Sequence, residues 1–369
     1  MPLLLDAPNL GEREKEMLIE CVDSTYVSTA GPFVPEFEER FARYLGAPAA
    51  VAVQSGTAAI HIALAELGVG EGDEVIVPAL TFVASVNPVL YAGAAPVLLD
   101  VHADTWTLDP ERVRDAITPR TRAIIPVHLY GNLCNMDALL EICGECSIAI
   151  VEDATEALGG TWRGRPAGTM GDFGCFSFNG NKLITTGGGG MVTARDPERA
   201  ARVKYLVNQA RDSSKGYYHP EMGYNYRMTN LEAALGLAQM ERIEGFLKKK
   251  RAFARIYSEA LDGIPGVAMQ KEAHGAENAW WFPSVTVEHI PIPELQVALN
   301  ERGVPTRRLF SPLHTFPYLR HHAPYPCPNA ERIYEQGLNL PASTANDEDS
   351  VRRAAKTLRE VLLKAGVRP

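Results

Sequence analysis

The chain reads as an α/β protein, with a large domain on a mostly parallel central sheet and a smaller α+β domain after it. Three observations lead there. From residue 50 to 195, short β-branched runs alternate with helical patterns, the alternation that builds parallel sheets. Those runs are almost continuously apolar, as strands covered on both faces are. After about residue 261 the alternation gives way to short mixed elements. The large domain is expected over 1–245 and the small one over 246–369.

In chain order, the expected strands are AAVAV (49–53), EVIVP (74–78), APVLLDV (95–101), RAIIPVHLY (122–130) and IAIVED (148–153). Between them TAAIHIALAELG, ASVNPVLYAG and NMDALLEICGE carry apolar residues at helical spacing. In the first of these Ile60, Ala63, Leu64 and Leu67 share a face. One long helix is expected from Thr229 to Leu261. GVAMQ, WWFPSVTV and helices at 293–302 and 348–365 then form the small domain, and the Pro/His-rich segment 310–328 reads as ordered loop.

Composition excludes several classes. The 369 residues carry a net charge of −9, and the longest basic run is KKKR at 248–251. Nucleic acid is therefore not an expected partner. No run of 18 apolar residues suggests a membrane span, and the N-terminal apolar stretch is too short for a signal peptide. Of six scattered cysteines only Cys143 and Cys146 have C-x-x-C spacing, with no second pair to complete a zinc site. Buried free thiols in a reducing cytoplasm are expected.

The chemistry is concentrated in three stretches. In VAVQSGTAAIHIAL a strand ends, Ser55-Gly56-Thr57 turns, and a helix begins. A helix N-terminus attracts anions, although the same S-G-T is an ordinary N-cap. In IVEDATEALGG a strand ends in Glu152 and Asp153, with Glu156 three residues on. Ligands bind at such carboxyl ends, while Asp153 alone would also serve as a helix cap. Then GCFSFNGNKLITT supplies Ser177 and Lys182, followed by four glycines at 187–190. A phosphate cradle, an acid and a lysine in that order suit pyridoxal phosphate, whose phosphate, ring nitrogen and aldehyde need those three partners. No G-x-G-x-x-G follows a strand, and the glycine run follows its lysine rather than preceding it, so neither a nicotinamide fingerprint nor a P-loop competes.

Five stretches in this order resemble one family: GDEVIVPALTFVASVNPVLYAGAAPVLLDV, IPVHLYGNLCNMD, VEDATEALGG, GDFGCFSFNGNKLITTGGGGMV and GYNYRMTNLEAALGLAQMERI. Over nearly its whole length the sequence resembles the sugar aminotransferases of the DegT/DnrJ/EryC1/StrS group, which have the fold-type I pyridoxal phosphate architecture. The resemblance implies that Lys182 is the Schiff-base lysine and Asp153 the partner of the pyridine nitrogen. Gly56, Thr57 and Ser177 would hold the cofactor phosphate, and Phe82 would lie against its ring. Asn225 would reach the cofactor phosphate of the neighbouring subunit, making a homodimer with shared active sites. Arg227 in the same loop would face the anionic substrate or serve as an ion-pair partner.

Glu156 stands where many members have Gln or His. By resemblance this points to the branch making 4-amino-4,6-dideoxy sugars, with Glu156 transferring protons or bonding the cofactor's phenolic oxygen. The implied substrates are glutamate and a nucleotide-linked 4-keto-6-deoxy sugar, UDP-linked and N-acetylated in the main reading, GDP-linked in the alternative. Lys182 argues against a sugar dehydratase of the same fold, Asn181 before it against a cysteine desulfurase, and the intact Lys–Asp pair against a non-catalytic regulator. The glycine run is expected to leave room for Lys182 and the sugar.

Overall fold

A computed structural model describes residues 2–364. In its first half lie α1 (Glu12–Asp23), α2 (Phe33–Leu45), β1 (Ala49–Val53), α3 (Gly56–Glu66), β2 (Glu74–Pro78), α4 (Asn87–Tyr91) and β3 (Ala95–Leu99). These are followed by α5 (Pro110–Ala116), β4 (Thr121–Ile124), α6 (Met136–Cys146) and β5 (Ala149–Asp153). A two-stranded excursion, β6 (Thr161–Trp162) and β7 (Arg165–Pro166), precedes β8 (Phe173–Ser177), β9 (Gly190–Ala194) and α7 (Pro197–Val207).

The seven long strands form one sheet in the order β1-β9-β8-β5-β4-β2-β3. The β2–β3, β2–β4, β4–β5 and β5–β8 pairs are parallel. β9 runs antiparallel to both β8 and β1. The five expected strands are all present, with β4 ending at Ile124 ahead of Pro126. β8 and β9 were not separately expected, because FGCFS and GMVTA carry neither a β-branched run nor a clean alternation.

The long helix expected over 229–261 is two helices, α8 (Asn230–Met240) and α9 (Ile243–Leu261). Thr229 and Glu232 close a capping box at the start of α8. The break falls at Glu241 and Arg242, where the Arg242 guanidinium bonds the Asn9 side chain at 2.6 Å and Glu14 at 3.3 Å. Position 245/246 lies in the first turn of α9.

The C-terminal part contains β10 (Val267–Met269), β11 (Ala276–Glu277), β12 (Ser284–Val287), α10 (Ile292–Asn300), β13 (Arg307–Arg308), α11 (Pro328–Gln336), β14 (Gly337–Asn339) and α12 (Glu348–Lys364). β10, β12, β14 and β13 make an antiparallel sheet, while β11 joins β6 and β7. α9 serves both parts. Ile243, Phe246 and Leu247 pack into a core with β1, β4 and β5 residues, and Phe253, Ile256, Tyr257 and Leu261 pack beneath the small sheet.

All six cysteines are free. Cys143 is buried but Cys146, the last residue of α6, is exposed, contrary to the burial expected for both. No described helix is long and apolar enough to cross a membrane.

Candidate active site

The carboxyl ends of β1, β5 and β8 converge on a cavity of about 420 Å³, closed on the far side by Trp281, Arg307 and Phe310 from the C-terminal part. Of the residues singled out in the sequence, Gly56, Thr57, Phe82, Ser177 and Lys182 line it.

One end is built from the start of α3. Ser55 Oγ accepts the Ala58 N–H at 3.1 Å and caps the helix, while Ser55, Gly56 and Thr57 open on the cavity. First-turn N–H groups have no intrahelical partner, so this end favours an anion. A Cβ on Gly56 would stand 2.9 Å from Ser177 Cβ and 3.0 Å from Thr155 Cγ2. Glycine is therefore required for the helix start to approach the β8 end so closely.

Asp153 ends β5 and is buried. Its Oδ2 accepts Ser85 Oγ–H at 2.6 Å and its Oδ1 the Thr155 N–H at 3.1 Å. Ser85 is braced in turn by Thr81 at 2.9 Å. Asp153 is not itself among the cavity's lining residues, whereas Thr155, two residues on, is. Strand alternation sends the neighbouring Glu152 to the other face. There it accepts the N–H groups of Gly168, Met170 and Gly171 and the Nε2–H of His128, a structural anchor rather than a site residue.

Lys182 lines the cavity. Its Nζ lies 3.5 Å from Glu156 Oε1 and 3.9 Å from the centroid of the Trp281 ring. Glu156 is buried, and burial pushes its carboxyl up to about 7, against the opposing pull of Lys182 and of the Tyr130 N–H, which donates to Oε2 at 2.8 Å. Tyr130 holds a left-handed backbone, φ 56°, unusual for a bulky residue. Its hydroxyl accepts the Phe310 N–H at 3.1 Å, and its ring stacks between Trp281 and Phe310. Phe310 then meets Phe82 at 5.3 Å, giving a continuous aromatic wall from the amine to Phe82. Phe82 is 52% exposed, which leaves a flat apolar face open to a flat ligand.

Asn225 and Arg227 lie elsewhere. Their segment runs along the free edge of β1, with Arg227 bridged to Val53 and the Gln54 N–H donated to Tyr226 O at 2.9 Å. Asn225 is exposed, and neither residue lines this subunit's cavity. The glycine run meets mainly backbone needs. Gly187 and Gly189 have φ of 84° and 105°, and a Cβ on Gly190 would sit 2.6 Å from Phe176 O. Only Gly188 and Gly189 of the run border the cavity.

Residues 8–359 match the DegT/DnrJ/EryC1/StrS aminotransferase family. The chain belongs to that family. This DegT/DnrJ/EryC1/StrS enzyme is 41% identical over 361 residues, 97% of each chain, to the GDP-perosamine synthase of Caulobacter vibrioides. It is 38% identical to that of Escherichia coli O157:H7 over 96% of each chain. Among solved structures it resembles S. venezuelae DesV in complex with a ketimine intermediate, with a TM-score of 0.92, 34% identity and complete coverage of both chains. The putative sugar aminotransferase Spr1654 of Streptococcus pneumoniae, in its PLP form, gives a TM-score of 0.93 at 28% identity, covering 99% of this chain and 100% of that one. The family member described here is a pyridoxal-phosphate-dependent sugar aminotransferase, with the fold-type I architecture.

The residues present fit the cofactor. The Gly56 cradle with the α3 N-terminus suits a phosphate, the braced Asp153 a ring nitrogen, and the exposed Phe82 face a ring. Sequence reasoning missed Ser85, Tyr130, Trp281, Arg307 and Phe310. The WW doublet at 280–281 and the unplaced 310–328 segment were the available signals, but neither carries a recognisable spacing.

Proposed function

We propose that the enzyme transfers an amino group from glutamate to the 4-keto carbon of a GDP-linked 4-keto-6-deoxy sugar. The observation that carries this is full-length likeness to GDP-perosamine synthases of three organisms, including that of Vibrio cholerae at 36% over 95% of this chain. The UDP-linked N-acetylated sugar that the sequence alone suggested gives way to the GDP-linked alternative on this support.

When bound, the cofactor supplies an aldehyde that takes up the amino group and a ring that withdraws electrons from the reacting carbon. Gly56, Thr57 and Ser177 would bind its phosphate, and Asp153, held by Ser85 and Thr155, would keep its ring nitrogen protonated. Phe82 would cover the ring and exclude water. Lys182 would hold the aldehyde at rest. Once freed by glutamate, Lys182 Nζ would move the proton from the donor's α-carbon to the cofactor, and water would release 2-oxoglutarate. In the second half Lys182 Nζ would move a proton from the cofactor to carbon 4 of the sugar. Glu156, with a carboxyl near 7, can hold or release a proton beside Nζ, as an acid–base group working near neutrality does.

In this reading Asn225 and Arg227 serve the neighbouring subunit of a homodimer, Asn225 at the cofactor phosphate and Arg227 toward the anionic substrate. The exposed position of Asn225 on the segment along the edge of β1 supports that. The test is an assay with glutamate against GDP- and UDP-linked 4-keto-6-deoxy sugars, with the product identified by mass spectrometry. Faster turnover of the UDP sugar would refute the nucleotide assignment. Loss of the sugar's oxygen without consumption of glutamate would refute the transferase reading.

A further inference from the structure

The amine of Lys182 has two close neighbours. Glu156 Oε1 lies 3.5 Å away, and the indole ring of Trp281 lies under Nζ at 3.9 Å. Among aromatic faces, indole attracts a cation most strongly. Trp281 is buried and fixed at three points. Its Nε1–H donates to Asn181 O, the carbonyl just before Lys182, at 2.7 Å. Its own carbonyl accepts Lys250 Nζ at 2.8 Å. Its ring stacks on Tyr130 at 6.2 Å and 24°, and Tyr130 also holds Glu156 through its N–H. One residue thus steadies both partners of the amine.

We propose that Trp281 is a positioning residue for Lys182. Its indole face receives the amine whenever the amine is not bonded to the cofactor, and aims it between the ring and Glu156. This rests on the reading of Lys182 as the cofactor-bonding lysine. A lysine released in each half-reaction is a flexible chain that must return within hydrogen-bond reach of the reacting carbon. An aromatic face attracts the ammonium yet makes no hydrogen bond that has to break when the neutral amine moves off. The other charges around the amine come from several packed elements, Asp153 at the end of β5 among them. Glu156 follows β5, Arg307 from β13 lines the same cavity with Asp6 bound to it at 2.6 Å, and Lys250 of α9 stands behind Trp281. Burial pushes Lys250 down to about 7, so its titration has to be separated from that of Lys182.

The experiment compares cofactor-free wild type, W281F and W281L, each mixed with pyridoxal phosphate from neutral to alkaline pH. The rate of the new absorbance is read, and borohydride trapping with peptide mapping locates the labelled lysine. Only the neutral amine adds to the aldehyde, with water leaving, so the pH inflection reports on the lysine that is trapped; the same series in a K250M background removes the Lys250 titration. Loss of the ring face in W281L should move the inflection to lower pH by up to about one unit. W281F keeps a face and should shift by less than half of that. A W281L inflection equal to wild type overturns the proposal. So does a W281F shift as large as that of W281L, which would assign the effect to the indole N–H bond instead. Should W281L fail to fold, a shift of about one unit in W281F alone overturns it. Trapping on a peptide without Lys182 would refute the assignment of that lysine, a result visible whatever the inflection does.

Discussion

Replacing Glu156 with glutamine should stabilise the cofactor-free protein, and more so as pH rises. Burial holds the Glu156 carboxyl at about 7, above its ordinary 4.5, even with Lys182 and the Tyr130 N–H pulling the other way. The sign follows from linkage. A carboxyl whose folded value is raised binds its proton more tightly in the native state, so its contribution is complete below about pH 4.5. That contribution is lost as pH rises to about 7 and is constant above. At about 1.4 kcal/mol per unit the whole loss is about 3 kcal/mol, most of it between pH 5 and pH 8.5. The substituted amide would keep the shape and an acceptor for the Tyr130 N–H while removing the titration. The stability advantage of E156Q over wild type should therefore grow by about 2–3 kcal/mol across that range. Urea unfolding of both proteins, followed by tryptophan fluorescence at matched pH, measures it. The subtraction cancels groups that do not touch Glu156. Parallel stability curves would show that Glu156 is not forced to keep its proton, and would remove it as a proton carrier near neutral pH.

Two further outcomes follow from the site. G56A should destabilise the fold by about 1–3 kcal/mol, the usual range for forcing a methyl into a tight contact, and weaken pyridoxal phosphate binding in an absorbance titration; its new Cβ would meet Ser177 and Thr155 at 2.9 and 3.0 Å. Mixing inactive K182A with inactive N225A should recover about a quarter of wild-type activity after subunit exchange, since half the dimers are hybrids with one intact site each. No recovery despite proven exchange would remove Asn225 from the neighbouring site.

The sheet was legible where burial on both faces writes a simple pattern. β2, wholly buried from Glu74 to Pro78, is such a run. β8 and β9 escaped notice because their place is set by pairing across a glycine-rich connection, and Gly174 and Gly190 satisfy close backbone approaches rather than a strand propensity. The break between α8 and α9 was equally hidden, since it depends on Arg242 meeting Asn9 and Glu14 from the far end of the chain. In the site, Gly56, Ser177 and Lys182 were readable because each sits in a local strand–turn context. Trp281, Tyr130 and Phe310 were not, because only the tertiary fold stacks residues so far apart in sequence. Glu152 and Asp153 could have been sorted by strand alternation alone, which places adjacent side chains on opposite faces.

α9 gives its first turns to one hydrophobic cluster and its later turns to another, and no loop interrupts it between them. A continuous helix of this kind acts as a stiff spar, because bending it sharply would open its own hydrogen-bond ladder. α9 therefore ties the packing of the two clusters together. Melting α9 would strip both clusters at once, so the two parts of the chain share a single cooperative fate.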